Sequence, residues 1–150
     1  MYIVIVAVVV IIDQIIKVFV RSNLYLSETH PIIEGFFSFT YIENYGAAFS
    51  MLSGQRIILI GLPLLIIVAG FIYIIRGKRG NNKVALVAAS LLVGGGIGNF
   101  IDRLFLGSVT DYLDLNNFAI FNFADICVCL GCALICIYVV FIEGKGSIEK

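Results

Sequence analysis

FAIFNFADICVCLGCALICIYVVFI, from Phe118 to Ile142, carries one charged residue, Asp125. The stretch exceeds the ~20 apolar residues that span ~30 Å of hydrocarbon, so it reads as a membrane helix. A carboxylate inside such a helix costs ~2.5–3.5 kcal/mol on insertion scales, and its default reading is functional. Asp111 stands 14 positions upstream. Two carboxylates that meet at one site point to acid/base chemistry by a pair.

Three further stretches match the first in kind: Tyr2–Val20, Ile57–Ile75 and Val84–Ile101. The 150 residues are 61% hydrophobic and 13% charged, with ten basic residues balancing ten acidic ones. That exceeds the ~45–50% apolar content of soluble domains. Nothing in the charge resembles a nucleic-acid footprint. The expected fold is an all-α integral membrane protein of four transmembrane helices, forming one polytopic domain over residues 1–150. Tyr2–Val20 lacks a basic start and a small-x-small site and carries Asp13, Gln14 and Lys17, so it reads as a retained span rather than a cleaved leader.

The segment 76–83 holds Arg76, Lys78, Arg79 and Lys83 with no acid, which the positive-inside rule assigns to the cytoplasm. Both termini, including the tail 143–150, then fall on that side, and 21–56 and 102–117 lie outside. Asp111 is thereby external, and Asp125 sits just within the outer end of span four. In the first external segment Phe37, Phe39 and Tyr41 alternate with Ser38, Thr40 and Ile42, a strand pattern with one apolar face. Gly46-Ala47-Ala48-Phe49-Ser50-Met51-Leu52 reads as a short interfacial helix. A small strand and helix between spans one and two would either cradle an extended peptide or cap the bundle.

Two carboxylates in a low-dielectric site do not both ionise easily, so the pair keeps one proton and titrates as a unit. The ionised member takes a proton from water while the protonated one polarises a carbonyl. Singly, Asp111 also reads as a turn cap in a polar loop, and Asp125 as an anion at a helix start. Asn44, Asn99 and Asn122 are amides able to hold a peptide backbone, and Arg103 offers a donor fork for carbonyls or lipid polar groups. Asp102 beside Arg103 alternatively forms an interfacial ion pair. Asp13 and Lys17, four apart on one helix, read as a pair that locks packing. Ser90, Gly94 and Gly98 form a ladder for close helix approach. Gly94-Gly95-Gly96 lacks the Lys-Ser/Thr of a phosphate loop. The four cysteines share one helix, which rules out a disulfide framework and favours packing, and His30 reads as a solvated side chain.

Five pieces occur in order: Asp13-Gln14-x-x-Lys17, Asn44-x-Gly46-Ala47-Ala48-Phe49, Gly98-Asn99-x-x-Asp102-Arg103, Val109-Thr110-Asp111-Tyr112 and Phe121-Asn122-x-Ala124-Asp125. Across nearly the whole chain this resembles the bacterial lipoprotein signal peptidase (signal peptidase II) family. The resemblance implies an aspartic endopeptidase of the bacterial plasma membrane that cleaves prolipoproteins before the diacylglyceryl-modified cysteine. It implies Asp111 and Asp125 as catalytic, with no metal or organic cofactor. Asn44, Asn99, Arg103 and Asn122 would contact substrate, while Asp13, Lys17, Gly94 and Asp102 support the site. Lipid-modified prolipoproteins and membrane lipid would be its partners. Tyr112 stands where the family usually has phenylalanine, Thr110 where valine is common, and the link from Asp111 to Asp125 is shorter than in some members. Two other readings remain: a small ion or proton transporter relaying through Asp13, Lys17 and Asp125, and an assembly factor docking through the glycine ladder.

Overall fold

The structure, a computed structural model, describes residues 1–46, 55–77, 82–116 and 118–143. Four helices carry the chain: α1 (Tyr2–Asn23), α2 (Arg56–Arg76), α3 (Lys83–Phe105) and α4 (Phe123–Ile137), the last running on into a π-helical turn, Tyr138–Glu143. At ~1.5 Å per residue the first three reach roughly 30–35 Å, the thickness of the hydrocarbon layer. All four spans are long and apolar enough to cross a membrane. Leu, Ile and Val side chains are exposed along the outer faces of α1 and α2, as lipid solvation permits.

α3 is the hub, packing against α1, α2 and α4. Over its most apolar window 56% of α3 is buried, against 6% for α2, whose main helix contact is with α3. Glycines set these distances. A methyl on Gly94 would stand 2.8 Å from Val9 Cβ of α1, and one on Gly131 would stand 2.8 Å from the Ala88 carbonyl oxygen of α3. Ser90, buried in the same ladder, spends its hydroxyl on the Leu86 carbonyl.

The all-α expectation needs correction. Strands β1 (Thr29–Ile33), β2 (Phe37–Asn44), β3 (Val109–Leu115) and β4 (Ala119–Phe121) form one antiparallel sheet in the order β1-β2-β3-β4. The sheet therefore joins the segment between spans one and two to that between spans three and four, where the sequence pattern pointed only to the first. Val109–Leu115 escaped notice because it carries Thr110, Asp111 and Asp114 among its apolar residues. Its Asp114 finds a partner across the β2–β3 pairing, where Thr40 donates to it at 2.8 Å. Ser38 donates to Asn116 at 3.1 Å. The start of the fourth span is corrected too, since Ala119–Phe121 is strand and the helix begins at Phe123. Of the expected short helix, only Gly46 lies within the described residues.

β2 is not regularly alternating. Phe39 pairs with Leu113, but Ile42 pairs with Asp111, so β2 holds one residue more than β3 between those pairs. A one-residue bulge exchanges the faces of everything beyond it. Without it Asn44 would fall opposite Ser108 and point away from Asp111. With it Asn44 pairs with Val109 and shares the face of Asp111. The expected apolar stripe of Phe37, Phe39 and Tyr41 is interrupted at the same place, and Ser38 and Thr40 are buried along with Tyr41.

Candidate active site

Asp125 is the third residue of α4, and Asn122 caps that helix. The Asn122 side chain accepts from the Asp125 N–H at 3.0 Å, and the Asp125 carboxylate accepts from the Asn122 N–H at 3.2 Å, a reciprocal capping box. The helix-start reading of Asp125 thus holds. It leaves room for a second role, because the other carboxylate oxygen takes a 2.7 Å hydrogen bond from Asn99 of α3. The remaining free N–H groups of the first turn are met from elsewhere. Phe123 N–H donates to the Tyr112 hydroxyl at 3.1 Å. Ala124 N–H donates to Asp13 at 3.1 Å. Helix starts leave such donors unpaired unless side chains reach them. Here β3 and α1 reach in, and the Tyr112 hydroxyl supplies one of the caps.

Asp111 projects from β3 and is 2% exposed. The strand excludes the turn-cap reading. Asn122 donates to one of its carboxylate oxygens at 2.6 Å and Asn44 to the other at 2.9 Å. Burial pushes its carboxyl up from the usual range to about 6. The two amide donors oppose that shift, and the negative charge of Asp125 adds to it.

The amides are themselves oriented. Asn99 Oδ1 accepts from Lys17 Nζ at 2.8 Å and from Asn122 at 3.1 Å, which turns its NH₂ toward Asp125. Asn44 Oδ1 accepts from Gly46 N–H at 2.9 Å, turning its NH₂ toward Asp111. Asn122 lies wholly buried behind both carboxylates and does not line the cavity between them.

Beneath the amides sits a charge cluster at 0–1% exposure. Lys17 meets Asp13 at 2.9 Å and Asp102 at 3.3 Å. Arg21, partly exposed at the rim, approaches Asp102 to 3.8 Å and donates to Thr110 at 2.8 Å. Asp102 also accepts from the Thr110 N–H, so β3 is anchored to α3 one residue before Asp111. Asp102 therefore pairs with α1, and Arg103 does not: its guanidinium donates to the Gly46 carbonyl at 3.0 Å. Among the described residues no buried side-chain nitrogen or oxygen lacks a partner. Gly98 faces Asp13 directly, leaving no space for a side chain there.

Asn44, Asn99, Arg103, Asp111 and Asp125 line one cavity of about 300 Å³, walled by β4 and by Val128 and Cys129 of α4. Asp13, Lys17 and Asp102 lie behind it, and Gly94 sits farther down the α1–α3 contact. The link from Lys17 through Asn99 to Asp125, and the capping of α4 by Asp13, were not visible in the sequence. Spacing placed Asp13 and Lys17 together but said nothing of a third helix. His30 is exposed, as its solvated reading expects, and meets Glu28 at 2.9 Å. The cysteines are free, with Cys127 buried and the other three exposed on the bundle.

Fold and site together define a polytopic helical membrane protein with a carboxylate pair in a cavity beneath a four-stranded sheet. Residues 5–141 match the family model of signal peptidase (SPase) II. The lipoprotein signal peptidase of Halothermothrix orenii is 39% identical over 135 residues, covering 90% of this chain and 92% of that one. That of Clostridium acetobutylicum is 37% identical over 150 residues, covering 97% of each. A solved bacterial membrane enzyme, determined by the in meso method at 2.3 Å resolution, superposes with a TM-score of 0.87 at 34% identity, covering 99% of this chain and 92% of that one. A second, at 1.9 Å, gives 0.83, also at 34% identity, covering 94% of this chain and 93% of that one. The chain belongs to the signal peptidase II family and is a membrane-embedded peptidase.

Proposed function

We propose that the chain removes signal peptides from diacylglyceryl-modified prolipoproteins, cutting before the lipidated cysteine with a water activated between Asp111 and Asp125. The observation that carries this reading is the single cavity lined by both carboxylates, each held by a separately oriented amide. Asp111 holds the shared proton and offers it to the scissile carbonyl; Asp125, the less buried of the two, takes a proton from the attacking water. Asn99 and Asn122 fix the pair, Asn44 and Arg103 meet the substrate backbone or its lipid ester, and Lys17 with Asp13 and Asp102 holds Asn99 in place. β4 is one of the sheet's two edge strands among the described residues and lines the cavity, so an extended peptide can add to it.

The four helices cross a bacterial plasma membrane with residues 21–56 and 102–117 on the outer side and both termini in the cytoplasm. The basic residues of 76–83 support that orientation. The scissile bond then lies at the outer boundary, within lateral reach of bilayer lipid. The transporter reading gains nothing, because Asp13 and Lys17 are 0% exposed and closed on each other.

Purified in detergent, the protein is expected to cleave a diacylglyceryl-modified precursor and to ignore the unmodified one. Asp111→Asn and Asp125→Asn are each expected to lose cleavage by ~10²–10⁴-fold while still binding precursor, the contribution of a positioned acid/base. Near-normal turnover in either variant would falsify the dyad.

A further inference from the structure

The face of α1 that carries Asp13 and Lys17 continues one turn further to Arg21. The three stand four apart, so they lie on one side of the helix. Each reaches a different element. Asp13 caps α4 at the Ala124 N–H, and Lys17 holds Asn99 of α3, which in turn holds Asp125. Arg21 reaches β3 instead, donating to the Thr110 hydroxyl at 2.8 Å. The first two contacts serve the Asp125 half of the dyad, whereas Arg21 touches the residue next to Asp111.

Side chains alternate across a strand, so Thr110 and Tyr112 point away from the face that Asp111 turns to the cavity. Both are 2% exposed, and both are held from behind. Tyr112 packs with Val20, the neighbour of Arg21 on α1, and accepts from the Phe123 N–H. Thr110 is gripped at two atoms. Its N–H donates to Asp102 Oδ2 at 3.0 Å, and its hydroxyl oxygen accepts from Arg21. The Arg21 guanidinium also lies 3.8 Å from Asp102 Oδ1. One planar fork thus faces a hydroxyl on β3 and a carboxylate on α3, a geometry that a lysine ammonium on its flexible stem does not reproduce. Asn44 and Asn122 fix the Asp111 carboxylate, while the backbone that carries it is located from the opposite face.

We infer that Arg21 is a positioning residue for the reaction: through Thr110 it sets the place of β3, and hence of the Asp111 carboxylate relative to Asp125. The inference rests on the reading of Asp111 and Asp125 as the cleaving pair. It gives a task to a residue outside the five ordered motifs, one whose place in the last turn of α1 is otherwise explained by the helix dipole alone.

The test compares Arg21→Gln and Thr110→Val, singly and together, on the diacylglyceryl-modified precursor in detergent. Each single variant is expected to lower kcat roughly tenfold or more with KM unchanged, since misplacing a reacting group by ~1 Å can cost ~10²-fold. The double variant is expected to be no slower than the slower single one, as for two partners in one contact. Arg21→Lys, which keeps the charge, is expected to stay slow. Asn23→Ala, which removes a side-chain bond to the Phe19 carbonyl at the same helix end, is expected to keep wild-type kcat. Wild-type kcat in Arg21→Gln overturns the inference. So does wild-type kcat in Arg21→Lys, which assigns Arg21 to charge alone, or additive losses in the double variant, which separate Arg21 from Thr110. If Arg21→Gln does not fold, Thr110→Val and Arg21→Lys carry the same test. If the wild type cleaves no precursor, the peptidase reading fails first. Hydrogen exchange over residues 109–112 then still decides whether Arg21 locates the strand. Faster exchange there in Arg21→Gln, with α2 unchanged, supports it, and equal exchange overturns it.

Discussion

Both carboxylate oxygens of Asp111 accept amide hydrogen bonds, yet burial still lifts its carboxyl to about 6. The folded protein thus binds a proton between pH ~4 and ~6 that the unfolded chain has released. Stability falls as pH rises through that window, because the unfolded state binds fewer protons there. The drop is roughly 3 kcal/mol, from about two pKa units at 1.36 kcal/mol each. Asp111→Asn is expected to flatten this dependence, read as melting temperature in detergent between pH 4 and 7 by circular dichroism. In the proposed mechanism the same ionisation sets catalysis. With Asp111 as proton donor, kcat/KM is expected to fall on the alkaline side, from a limb that begins near pH 6. A flat profile from pH 5 to 8 with chemistry rate-limiting removes Asp111 from that role.

At the level of elements, the site depends on how closely α1 meets α3. Lys17 orients Asn99 only while α1 stays in contact, and Gly94 sets that contact through Val6 and Val9. An added methyl there must displace α1, and overpacking of this kind costs ~1–3 kcal/mol. Gly94→Ala is therefore expected to lower both melting temperature and kcat. Gly61→Ala in α2, where an added methyl meets nothing within 4 Å, is expected to leave both unchanged. Equal behaviour of the two variants would show that the α1–α3 distance does not govern the dyad. The bulge in β2 acts at the same scale, since it brings Asn44 onto the face of Asp111.

Across the whole molecule, stability is unevenly spread. α3 is enclosed by three helices, whereas α2 rests mainly on α3. Local opening follows buried contact density. Hydrogen exchange in detergent is expected to find the middle of α3 slowest and α2 markedly faster, and equal protection would contradict the packing described here.

The spans were legible from the chain because their cause is local. Helical backbone bonds close within four residues, and lipid selects apolar side chains along the whole length. The five ordered motifs marked Asp111 and Asp125 for the same kind of reason, since residue types and their order are all such a pattern contains. What joins the motifs is not local. Asn99 lies 82 residues from Lys17, and Asp13 lies 111 from the Ala124 N–H that it caps. The β2–β3 pairing, its bulge, and the resulting approach of Asn44 to Asp111 depend on two segments separated by two membrane helices. The chain by itself determined which groups could do chemistry and that they lie in a membrane protein. Tertiary structure alone decided which oxygen of which carboxylate each amide holds, because hydrogen bonds act over about 3 Å in space whatever their distance along the sequence.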